Sequence, residues 1–177
     1  GLEAFKTKIR DNMQRELTRR LHAQLKEQVL EKLTEVNEGV LVPQAVIDQE
    51  IEHLKSMTKK QMAAQQGGQS LPEIDLPSHL YAPQAKKRVL LGLLLSELVK
   101  KHELKVDEAA VKEKINELSA TYEKPEEVAQ WYLQNKQVLG EIEASILEDM
   151  AVEKLLESAK VSEKSESYDK IIESSNK

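Results

Sequence analysis

Between Leu2 and Asn37 the chain contains neither glycine nor proline, and from Ile9 to Leu33 an apolar residue returns at every fourth position. Nothing in such a run interrupts a helix, because the two residues that break one are missing. The spacing predicts a single helix over residues 2–37, roughly 50 Å long at about 1.5 Å per residue. That is more than a compact domain of this size requires, so the helix should project. Four residues at about 100° each advance the apolar stripe by roughly 40°, and the steps from Ile9 to Leu33 turn it through about 240°. One straight partner cannot cover a stripe that winds so far. Different stretches must face different neighbours or stay partly open.

Gly39 fits a helix stop and Pro43 a helix start, where a missing N–H costs nothing. Val46, Ile47, Ile51, Leu54, Met57 and Met62 then trace a second amphipathic helix that ends before QQGGQS. A short connection predicts an antiparallel hairpin, a first arm over about residues 1–65. Residues 66–82 hold two of the five prolines and a glycine pair, and read as an irregular connection pinned by Leu71, Ile74, Leu76 and Leu80. Pro83 is expected to open a central helix over about 83–104, which carries RVLLGLLLSEL. Its leucines and Val89 point in every direction, so the helix should be buried on all sides, with Gly92 allowing another helix to approach closely. The run is too short to cross a bilayer.

Asp107 resembles an N-cap for a helix through Val111, Ile115 and Leu118. Pro125 starts a short helix, and Val138 to Leu156 trace a longer one; the three make a second arm over about residues 107–159. The tail, 160–177, is polar and serine-rich, with Tyr168, Ile171 and Ile172 as a last docking patch and a frayed end. The whole reads as all-α.

The chemistry the sequence excludes is broad. Cysteine is absent, which removes disulfides, thiolate nucleophiles and cysteine–zinc sites and suits a reducing cytoplasm. A net charge of −5 with interspersed signs argues against nucleic acid, and Lys86, Lys87 and Arg88 read as a solvated helix end. No signal peptide opens the chain; it starts without Met, as a piece of something longer would. His22, His53, His79 and His102 have no partners at metal-ligand spacing, and no nucleophile elbow or phosphate-binding glycine loop occurs. No catalytic residue, metal or cofactor is expected.

Aromatic residues make up only 3% of the chain, yet Tyr122, Trp131 and Tyr132 fall within eleven residues, among Leu118, Val128 and Leu133. They are either the small core of the second arm or an apolar contact surface, since an arm of two or three helices has little interior. Met57 and Met62 invite the same two readings, gap filler or adaptable binding surface. The residues alone leave open a module that holds apolar segments of other chains and a helical scaffold pairing with one partner or with a second copy.

The ordered segments NMQREL, VPQAVIDQEI, QAKKRVLLGLLLSEL with KHELKVDE, YEKPEEVAQWYLQNK and AVEKLLESAKVSEK resemble the C-terminal domain of trigger factor, a bacterial ribosome-associated chaperone family, over essentially all 177 residues. The resemblance implies an elongated helical body with two protruding arms, akin to the chaperone domain of SurA. It implies ATP-independent holding of nascent or unfolded polypeptides between the arms. The positions matching the family's client contacts are Leu118, Tyr122, Val128 and Trp131. Tyr132, Met57 and Met62 join them as candidates from the residue reading. The family's GFRxGK ribosome-docking motif and its prolyl-isomerase domain have no counterpart here, so ribosome binding and isomerisation are expected only from segments outside this chain. A weak homodimer is compatible with the exposed stripes, and no membrane or direct nucleic-acid contact is expected.

Overall fold

A computed structural model describes residues 1–65, 75–120, 122–168, 170 and 171. Among them there are six helices and no strand: α1 (Leu2–Val36), α2 (Gln44–Gln65), α3 (Ser78–Lys101), α4 (Glu108–Ser119), α5 (Pro125–Gln134) and α6 (Lys136–Leu156). The all-α expectation holds, and the starts of α2, α4 and α5 fall where Pro43, Asp107 and Pro125 put them. The expected pins Leu71 and Ile74, the Gly67–Gly68 pair and Ile172 lie outside the described residues.

The chain divides into two compact units, one of residues 33–100 and one of residues 1–32 with 101–177. In the first, α2 buries Ile47, Ile51 and Leu54, at spacings of four and three, against Ala85 of α3, with Val42, Tyr81 and Ala82 alongside. Arg88 Nε and Glu50 Oε1 sit 2.9 Å apart across the same seam, as an ion pair without hydrogen-bond alignment. Lys55 Nζ donates to Ser78 Oγ at 2.8 Å. The grouping differs from an arm of residues 1–65, because α2 spends its apolar stripe on α3.

Three expectations about α3 are corrected. The helix begins at Ser78, so Pro83 lies inside it rather than opening it. The ring falls in the second turn, where it removes one backbone bond near an end that already has unpaired donors. Nor is the helix enclosed: of its large apolar residues only Leu90 is fully buried, Leu93 and Leu80 are exposed, and the others are half-buried. The compact unit supplies mainly α2 as a partner, and one helix covers one face. A Cβ at Gly92 would meet nothing within 4 Å, so among the described residues no helix makes a close approach there. After Lys101 the backbone of Glu103 turns left-handed, at φ 51°, and the helix ends.

In the second unit, Val111 and Ile115 of α4 meet Ile142 and Ile146 of α6, and α5 covers them with Ala129 and Tyr132. Along α1, Thr34 is the only fully buried residue, as a winding stripe implies. Its middle is tied to α6 by charge: Lys26 Nζ lies 2.7 Å from Glu148 Oε1 and 2.6 Å from Asp149 Oδ1. Lys114 of α4 adds a second cation, 3.7 Å from Asp149. Burial, the largest single influence on Lys26, lowers its pKa; the hydrogen bonds and charges of Asp149 and Glu148 together outweigh it and hold the ammonium above the ordinary 10.5.

Candidate functional site

The aromatic cluster stands on a scaffold with little freedom. Asp107 caps α4 by accepting from the Ala110 N–H at 2.6 Å. At the other end Ser119 is buried and donates its hydroxyl back to Ile115 O at 2.8 Å, one turn earlier on the same helix, so the buried hydroxyl is itself satisfied. The chain then turns at once, with the Tyr122 N–H donating to Ser119 O at 3.0 Å. Pro125 takes the first helical position of α5, where its fixed φ suits a helix start. Asn135 closes α5 and opens α6 together: its N–H donates to Trp131 O at 3.1 Å, and its Oδ1 accepts from the Val138 N–H at 3.3 Å. No spare residue remains between the two helices, so the backbone beneath Trp131 is held from both sides.

On this frame α5 divides its side chains by angle. Tyr132 and Ala129 face the α4–α6 core, with Val128 half-buried beside them. Trp131 stands about 100° around the helix from Tyr132 and is 55% exposed. Its ring meets Tyr132 edge-on, with centroids 5.3 Å apart and planes at 68°. Tyr122, 53% exposed, lies near the Tyr132 hydroxyl. Partial burial first, then the charge and hydrogen bond of Tyr122, raise the Tyr132 phenol above the ordinary 10.0, so it stays neutral at physiological pH. Leu118, on the last turn of α4, is 39% exposed.

The structure therefore links Tyr122, Tyr132 and Trp131 directly, with Leu118 and Val128 on the flanking turns. The cluster is divided: Tyr132 packs on the α4–α6 core, while Trp131, Tyr122 and Leu118 are exposed. Met57, exposed, and Met62, half-buried, lie on α2 in the other compact unit. Leu133 is also exposed, but on the opposite flank of α5 from Trp131. The four histidines are exposed, and no three His, Cys, Asp or Glu side chains among the described residues converge as metal ligands. No described helix is long and apolar enough to cross a membrane.

A second apolar feature escaped the residue-by-residue reading. On α1 a hollow of about 480 Å³ is lined by Ile9, Met13 and Leu17, with Lys6, Arg10, Gln14 and Tyr168 of the tail also on its walls. The four-residue stripe and the docking role given to Tyr168 were both visible; their meeting was not, because more than 150 residues separate them in sequence.

Comparison with known proteins adds an independent line. A family model described as the C-terminus of the bacterial trigger factor protein matches residues 1–157. The trigger factor of Coxiella burnetii is 41% identical over 173 residues, covering 97% of this chain and 39% of that protein. Those of Stutzerimonas stutzeri and Pseudomonas fluorescens are 40% and 38% identical over 172 residues, again with 97% of this chain and 38% of theirs. The chain thus spans about two fifths of the length of the curated relatives it matches.

Proposed function

Because this chain belongs to the bacterial trigger factor family, we propose that it is an ATP-independent holding module, which binds nascent or unfolded polypeptides through dispersed apolar patches and so prevents their aggregation. The observation that carries the reading is the outward stance of Trp131 and Tyr122, more than half exposed on a backbone held by Pro125 and Asn135. A rigid aromatic surface loses little conformational entropy when a client lands on it. Leu118, Tyr122, Val128 and Trp131 are the proposed contacts, with Tyr132 as their support. Met57 and Met62 on α2 are proposed as further contacts, as side chains that adapt their shape.

Each patch is small, so affinity arises from several greasy client segments engaging separate patches at once. No nucleotide, metal or cofactor enters this scheme. The proposed setting is the cytoplasm, with ribosome docking and prolyl isomerisation assigned to parts of the family's longer proteins that this chain does not span.

The test is to dilute a denatured client into buffer with the chain and follow light scattering. Suppressed aggregation at several-fold molar excess is expected; unchanged scattering would overturn the reading. Sedimentation at varied concentration separates it from a dedicated self-association module. That alternative predicts a stable dimer which shields Trp131 and binds no unfolded chain.

A further inference from the structure

The hollow on α1 is walled in part by the chain's own tail. Ile9, Met13 and Leu17 are successive steps of the four-residue stripe and form one row along the helix, and Tyr168 lines the same hollow with Lys6 and Arg10. Beside Tyr168, Glu166 lies 3.0 Å from Lys164 Nζ and 3.1 Å from Lys170 Nζ, and the Ile171 N–H donates to Ser167 O at 3.2 Å. Those two cations hold the Glu166 carboxyl below the usual carboxylate range.

The cover is incomplete. Ile9 and Met13 remain 44% and 41% exposed, and a space of about 480 Å³ falls within the roughly 300–1,000 Å³ that binding pockets offer. The surroundings are also biased in charge. Residues 1–20 carry six basic and three acidic side chains in a chain whose net charge is −5, which favours an occupant with acidic neighbours.

We propose that the Ile9–Met13–Leu17 row is a peptide site for an aromatic-centred segment with acidic neighbours, and that the Tyr168 turn occupies it in cis until a client segment displaces it. The tail is joined to α6 by residues 157–166, so its local concentration is of the order of millimolar and a weak contact keeps it seated. The site deepens the holding reading and rests on it: client binding at one patch frees nothing, whereas client binding here releases the tail.

The experiment uses the 177-residue chain, a version ending at Lys160, and Tyr168→Ala. The probe is a fluorescein-labelled peptide with the sequence of residues 161–171, titrated by anisotropy. If the turn is seated about nine-tenths of the time, its removal tightens peptide binding about tenfold, and Tyr168→Ala recovers most of that gain. Met13→Glu in the truncated chain, with helix content checked by circular dichroism, should abolish it. Equal affinity for full and truncated chains, or a gain that survives Met13→Glu, would overturn the inference. Suppression of client aggregation is measured on the same samples. Suppression without any tail effect sinks this inference and leaves the holding reading; tail-dependent peptide binding without suppression upholds the site and sinks the holding reading.

Discussion

Replacing Trp131 with alanine separates its outward role from its structural one, and both sizes follow from its position. A tryptophan presents on the order of 250 Å², and this one is 55% exposed, so a client that covers it removes roughly 130 Å² from water, worth about 3 kcal/mol at about 25 cal/mol per Å². Ordering the client segment takes back a substantial part, which leaves about 1.5 kcal/mol, or roughly tenfold in Kd. The buried half of the ring meets Tyr132 edge-on, a contact worth about 0.5–1.5 kcal/mol. Stability should therefore fall by only about 1–2 kcal/mol, with the Asn135 corner intact because it uses the Trp131 carbonyl and not its ring. Trp131 is the chain's single tryptophan, so the unmodified protein reports its own burial: titration with reduced, carboxymethylated peptides that lack tryptophan should shift its emission to the blue. Affinity of both forms is then compared by anisotropy. If emission does not move and Trp131→Ala binds within twofold of the parent, Trp131 is not a contact and the reasoning fails.

Three further outcomes are expected. Ile115→Ala removes the most buried large side chain of the α4–α6 core and should lower the unfolding free energy by about 2–5 kcal/mol in urea titrations, far more than Leu118→Ala on the outer flank of the same helix. Asp107→Ala deletes the α4 cap and should cost about 0.5–2 kcal/mol, with Asp107→Asn losing much less. Lys26 has a pKa above 10.5 in the folded chain, so its contribution is fully present below the unfolded value and is lost as pH rises through the folded one. Solvent screening of this partly exposed cluster limits it to about 1 kcal/mol or less. The stability difference between the parent and Lys26→Met should be steady from pH 7 to 9 and shrink as pH rises through the raised folded value.

Local signals were read correctly where the physics that produces them is local. A helix forms from Leu2 to Val36 because nothing in that run breaks it. Asp107 caps, Pro125 starts and the glycine at position 39 lies just beyond α1, all through interactions within a few residues. The winding stripe likewise foretold a helix with almost no fully buried residue. The aromatic cluster was legible as a cluster, since its members lie within eleven residues.

Tertiary structure decided what those faces do. Whether Tyr132 or Trp131 points inward depends on where α4 and α6 lie around α5, which periodicity within ten residues cannot specify. The all-round apolarity of α3 suggested burial on every side, but burial needs neighbours, and the unit around it brings mainly α2. Tyr168 meeting Ile9, Met13 and Leu17 joins opposite ends of the chain. Sequence determined which segments are helical and which residues are apolar, because backbone hydrogen bonds and caps act over one or two turns. Which apolar residues remain in water was decided by packing, because removing surface from solvent requires a second surface, and only the folded chain says where that surface is.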